Sequence, residues 1–182
     1  GMWWPSEPTP GAANKPLSTG DPAQLRINEW MADPGKGDDW FELFNPTGQP
    51  VALGGFYLSD NPANPTLHRL PAHSFIGGGF FAFQKIIADA QASRGADHVS
   101  FKLRASGEGI ALRDGEGRLI DEVTFARQSE AVSEGRFPDG AGTIARFPIL
   151  DTPGAPNRLD SNLNGLPDDW ESAHGLAPDD AL

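Results

Sequence analysis

Turn chemistry interrupts this chain too often for long helices to form. Corners recur at residues 32–39 (Ala-Asp-Pro-Gly-Lys-Gly-Asp-Asp), 45–48 (Asn-Pro-Thr-Gly), 54–55, 77–79, 105–109, 114–117 and 138–140. Glycine supplies positive φ there, proline a preset φ, and Asp or Asn a side-chain bond back to the main chain. The segments between are short, and several alternate. Leu25, Ile27 and Glu29 are expected to share one face of a first strand, and Trp40, Glu42 and Phe44 one face of a second. Further strands are expected at 51–53, 56–58, 67–70, 80–84 and 99–103. Hairpins should form at 110–113 with 119–125 around Asp114-Gly115-Glu116-Gly117, and at 132–137 with 143–147 around Pro138-Asp139-Gly140. Residues 86–93 read as a short helix closed by Gly95. Punctuation at this rate marks an antiparallel all-β sandwich or barrel.

An ordered set of motifs narrows that choice. The string INEWMADPGKGDDWFELFNPTGQPVALGGFYLSD from Ile27 is followed by LRASGEGIALRDGEGRLIDEVTF, GRFPDG and DTPGAPN. Together they resemble a bacterial lamin-tail domain over residues 23–157. The resemblance implies an immunoglobulin-like β-sandwich. It also implies an accessory module of a larger secreted or surface protein, with no catalytic residues to carry over. Ile27, Leu43, Phe83, Leu112, Val123 and Phe125 are then the expected core.

Composition sets bounds on partners. A net charge of −11, with 14 Lys and Arg scattered singly, argues against a nucleic-acid phosphate backbone. The absence of cysteine excludes disulfides, thiolate metal sites and a Cys nucleophile. No apolar run approaches the roughly 18 residues of a membrane span, so membrane insertion is not expected. Gly1-Met2 reads as a vector remnant ahead of a natural fragment.

Residues 1–22 are rich in Pro, Gly and Ser and read as linker, yet contain Trp3 and Trp4. An internal repeat accounts for both. Pro8-Thr9-Pro10-Gly11-Ala12-Ala13-Asn14 parallels Asp151-Thr152-Pro153-Gly154-Ala155-Pro156-Asn157, and an aromatic precedes each, Trp4 and Phe147. Residues 3–14 are therefore expected to be the tail of a preceding copy. The two tryptophans should find cover on this domain or on another chain, the second outcome giving a dimer through residues 1–20.

Glu29 and Glu42 are the acidic residues that fall on apolar strand faces. Two readings are open: a close buried pair with raised pKa or a bound metal, or carboxylates at a strand edge or bulge that accept bonds from loop amides. The second is favoured. His68, His73, His98 and His174 show no HxH or HExxH spacing, and Ser59, Ser106 and Ser133 sit in no G-x-S-x-G elbow. Trp30 and Trp40 could form a platform for sugar stacking, but period-2 placement favours the core.

The strongest local motif runs from Asp160 to Glu171, within a segment, residues 158–182, expected to form a calcium loop and a short helix. From Asp160 as position 1, oxygen donors fall at Asp160, Asn162, Asn164, Asp168 and Glu171. Gly165 stands at position 6, and Leu166 offers its carbonyl at 7. This is EF-hand spacing, and it also resembles thrombospondin type 3 and dockerin calcium repeats. Asn at positions 3 and 5 lowers the ligand charge, so the expected Kd for calcium is on the order of 10⁻⁴ to 10⁻³ M. Pro167 should start a short helix that Gly175 ends, with Trp170 packed beneath the loop. The sequence thus points to a non-catalytic spacer or interaction module, secreted or on the cell surface. Its expected partners are neighbouring domains of the same chain, or a protein or polysaccharide at the surface. A carbohydrate-binding module is the alternative, and a hydrolase using the acidic pair the weakest reading.

Overall fold

In a computed structural model, residues 6–179 are described. The strands in chain order are β1 (Ser6–Glu7), β2 (Lys15–Pro16), β3 (Arg26–Met31), β4 (Asp39–Phe44), β5 (Val51–Ala52), β6 (Tyr57–Ser59), β7 (His68–Arg69), β8 (Phe75–Ile76), β9 (Phe83–Ala88), β10 (Glu108–Arg113), β11 (Leu119–Phe125), β12 (Ser133–Arg136) and β13 (Ile144–Phe147). A short helix, α1 (Asp168–Ala173), follows. A five-stranded sheet runs β13-β12-β3-β4-β9 and a four-stranded sheet β11-β10-β6-β7, with every ladder antiparallel. Strand β3 packs across onto β10 and β11. This is the expected immunoglobulin-like sandwich, with β1–β2 and β5–β8 as small ribbons.

One continuous core lies between the sheets. Ile27, Trp30, Phe41, Leu43 and Ile86 come from the larger sheet, and Leu58, Ile110, Leu112, Val123 and Phe125 from the smaller. Fully burying each such side chain stabilises by roughly 1.5–3 kcal/mol. Trp30 and Phe125 meet across the gap with ring centroids 6.1 Å apart. A largely buried ion pair ties the two sheets at one end. Arg136 of β12 donates to both oxygens of Asp121 on β11, at 3.0 and 3.1 Å, while the amide of Ile27 donates to the same carboxylate at 2.8 Å.

A β-bulge decides what faces outward. The register between β3 and β4 slips between Ile27 and Glu29, so Asn28 is the extra residue. Ile27 and Trp30 therefore both face the core, and Glu29 turns to the outer face with Met31. The expected grouping of Leu25, Ile27 and Glu29 on one face is thereby corrected. On β4 the alternation holds, with Phe41 and Leu43 inward and Trp40, Glu42 and Phe44 outward.

Three local expectations fail for tertiary reasons. Residues 86–93 form no helix. Ile86 and Ala88 continue β9 against β4, and Asp89 then makes a corner by accepting from the Gln91 amide, Arg94 and His98, each at 2.8 Å. Residues 80–84 are not a strand throughout, because Gly79–Phe81 is a 3-10 turn and β9 begins only at Phe83. Phe83 stays outside the core and stacks on Phe44 at 4.7 Å. Residues 99–103 bury Val99, Phe101 and Leu103 as predicted, yet make only isolated bridges around that segment rather than a ladder. Trp3 and Trp4, for which cover was expected, lie outside the described residues.

Candidate functional site

The bulge brings Glu29 and Glu42 into direct cross-strand register on the outer face, and neither exposes any surface. What covers them is the segment after β13. The Thr152 amide reaches Glu29 at 3.2–3.3 Å, and the Thr152 hydroxyl lies 3.2 Å from Glu29 Oε2. Ser133 Oγ donates to Glu29 Oε1 at 2.6 Å. The Gly154 amide donates to Glu42 Oε2, and Asn28 Nδ2 to Glu42 Oε1 at 3.2 Å. All four carboxyl oxygens thus have a hydrogen-bond partner, mainly among the loop amides and hydroxyls that the second sequence reading named.

Asn28 is the hub of this network. Its Nδ2 also donates to Asp139 Oδ1 at 2.9 Å, and its Oδ1 accepts from the Gly140 amide at 2.9 Å. Asn157 closes the strap: its amide donates to Asp139 at 3.0 Å, and its Nδ2 reaches the Arg136 carbonyl at 2.8 Å and the Asn28 carbonyl at 3.4 Å. That approach needs Gly135 on β12. A Cβ there would sit 2.6 Å from the Asn28 carbonyl oxygen and 2.8 Å from Asn157 Nδ2.

Burial raises both carboxyls. Glu29 is pushed up to about 7 by desolvation, with the Asp151 charge adding and the Ser133 and Thr152 bonds opposing. Glu42 is pushed up to about 8 by desolvation, helped by the charges of Glu29 and Asp139 and opposed by Gly154 and Asn28. A raised acidic pair is a familiar catalytic signature. Here the strap lies directly over it, and the bonds just described occupy its oxygens, so the arrangement serves to fasten the strap.

The C-terminal loop gathers most of the residues its spacing singled out. Asp160 Oδ1 accepts from the Asn164 amide at 3.1 Å and Oδ2 from the Gly165 amide at 2.7 Å. Asn162 and Asn164 point their side-chain amides at Glu171 Oε1, at 3.3 and 2.8 Å. Leu163 and Gly165 take positive φ, 59° and 87°, to make the tight winding. Glu171, in α1, is buried, and its Oε2 has no hydrogen-bond partner. Asp168 is turned differently: both its oxygens accept from Ser161, at 2.7 and 2.6 Å. The Leu166 amide is held by Asn164 Oδ1 at 2.7 Å. Among the described residues, no three His, Asp or Glu side chains converge as a metal-holding group. The loop's donor set is instead two carboxylates, Asp160 and Glu171, with two Asn amides. Trp170, expected beneath the loop, stacks on His174 at 3.9 Å and is partly exposed.

Trp30 and Trp40 are both buried, the latter under the Lys85 ammonium at 5.1 Å, so neither offers a sugar-stacking platform. Sequence reasoning missed Asn28 and Ser133 as partners of the acidic pair, and Asp139 and Asn157 as the residues that tie Asn28 to the strap. Only Asn28 left a trace, as a second polar residue beside Glu29 in a strand whose other central residues, Ile27, Trp30 and Met31, are apolar.

No curated protein matches the chain. The sequence profile described as Lamin Tail Domain matches residues 18–127, well over half of the chain and including β3 to β11. With that match and the sandwich that carries it, the chain belongs to the lamin tail domain family.

Proposed function

We propose that this chain is a non-catalytic module that spaces or joins neighbouring domains of a larger secreted or surface bacterial protein, with calcium bracing its C-terminal tail. The acidic pair supports the first part, since it sits buried under a strap rather than in an open cleft. One observation carries the calcium reading: the buried, unpartnered Oε2 of Glu171, at the position where an EF-hand loop places its bidentate ligand. An acceptor left alone beside Asn162 and Asn164 amides is costly, and a hard cation would satisfy it. Asp160, Asn162, Asn164, the Leu166 carbonyl and Glu171 would hold the ion, with Asp168 contributing through water. Magnesium fits less well, because it demands tighter octahedral geometry.

With Kd on the order of 10⁻⁴ to 10⁻³ M, millimolar calcium would stabilise the ordered loop by roughly 0.4–1.4 kcal/mol. That is enough to fix the direction of a tail and too little to hold the sandwich together. Amide exchange during a calcium titration tests this. Protection should appear across residues 160–171 in the parent chain and vanish in Asp160→Ala and Glu171→Gln, while the sandwich is unchanged. No saturable response up to about 10 mM calcium, well above the weak end of that range, would sink the reading.

A further inference from the structure

The strap over the glutamate pair has a twin that lies exposed at the surface of the described residues. Thr152 Oγ1 donates to Asn157 Oδ1 at 3.0 Å, and Thr9 Oγ1 donates to Asn14 Oδ1 at 3.1 Å. The Ala155 amide donates to the Thr152 carbonyl at 2.9 Å, and the Ala12 amide to the Thr9 carbonyl at 3.0 Å. Gly154 has φ 88° and Gly11 has φ 77°. The same turn, with the same internal bonds, is therefore built twice. In the C-terminal copy it turns the Thr152 and Gly154 amides onto Glu29 and Glu42, and Asn157 is buried. In the N-terminal copy Pro10, Gly11 and Asn14 are exposed, and pairing of β1 with β2 (Ser6 with Pro16, Glu7 with Lys15) holds the turn closed.

We infer that residues 9–14 are a second closing strap, preformed to seat on the side-by-side glutamates of another sandwich of this kind. The partner is defined by its chemistry: two cross-strand carboxyls on an outer sheet face, with no strap of their own over them. Thr9 would supply its amide to one carboxyl and Gly11 its amide to the other, as Thr152 and Gly154 do here, with the Thr9 hydroxyl oxygen left to accept from a protonated carboxyl. A preformed turn loses little freedom on docking, which favours such an exchange. This inference names the partner of the domain-joining role proposed above and rests on that role, not on the calcium loop.

The test uses the full chain with its own strap disabled by Thr152→Val and Gly154→Pro. A fluorescent peptide of residues 6–16 should bind this variant saturably by anisotropy. Binding should weaken by at least about tenfold toward the parent chain, whose site is filled, and for a Thr9→Val peptide. Absence of binding to a variant that still melts cooperatively, or equal binding to parent and variant, overturns the inference. A second variant decides the matter if the first fails to fold. Asp151→Pro with Pro156→Ala rewrites the working strap into the sequence of residues 8–14. Its melting temperature should stay within about 3 °C of the parent; a loss as large as that of Thr152→Val overturns the inference. Failure here would leave calcium ordering of residues 160–171 untouched, so the two readings fail separately.

Discussion

Raising the pH from 5 to 8 should lower the melting temperature of this domain by on the order of 10 °C, and Glu42→Gln should remove more than half of that fall. Burial holds the Glu29 and Glu42 carboxyls at about 7 and about 8, above the ordinary value of 4.5 that applies to the unfolded chain. The folded state therefore binds more protons than the unfolded state between those limits. Stability from the pair is fully present below pH 4.5 and is lost as the pH rises through 7 and 8. One pKa unit corresponds to about 1.4 kcal/mol, so each carboxyl contributes on the order of 3 kcal/mol. Side by side, they titrate as a unit rather than as two independent acids. The charges of Asp139 and Asp151 face the pair and push the same way. His68 works in the opposite sense, because burial lowers its pKa and so penalises acidification. Comparing the parent with Glu42→Gln cancels that contribution. A melting temperature that is flat or rising between pH 5 and 8 in the parent would mean the pair is not buried in neutral form.

The division between what was legible in the sequence and what was not follows from range. Turns are local, so Asp114-Gly115-Glu116-Gly117 located its hairpin, and Pro138-Asp139-Gly140 located the next, both within a residue or two. The oxygen-donor spacing of the C-terminal loop is equally local, and the side chains of Asp160, Asn162, Asn164 and Glu171 share one hydrogen-bonded turn. The bulge at Asn28 is not local. It depends on how β3 meets β4, and it decided the face on which Glu29 lies. The helix expected at 86–93 failed for the same reason: its propensity is a matter of tenths of a kcal/mol per residue, while a full ladder with β4 places Ile86 and Ala88 in the core. The strap was readable as a repeat, because Thr152-Pro153-Gly154-Ala155 recurs as Thr9-Pro10-Gly11-Ala12. Its purpose was hidden, since the glutamates beneath it lie more than a hundred residues earlier in the chain.

That separation makes Asn28 the residue on which the assembly of the outer face turns. Replacing it with alanine strips a donor from Glu42 and from Asp139 and leaves the Gly140 amide without its acceptor. Unmet buried polar groups cost about 1–3 kcal/mol each, and more when charged, so Asn28→Ala should lose about 3–5 kcal/mol. This is a large share of the roughly 5–15 kcal/mol typical of a domain. Asn28→Asp separates the loss of hydrogen bonds from the gain of charge. The introduced carboxylate keeps an oxygen for the Gly140 amide but sets a third negative charge between Glu42 and Asp139. At pH 8 this variant should therefore be at least as unstable as Asn28→Ala. At pH 5 the same carboxyl, once protonated, can donate where the Asn28 amide did, so the variant should recover much more of its stability than the alanine variant does. Urea melts of the two variants at both pH values read this directly. Parallel pH responses, or an Asn28→Asp chain as stable as the parent at pH 8, would show that the amide is not the donor that holds the glutamate and the strap together.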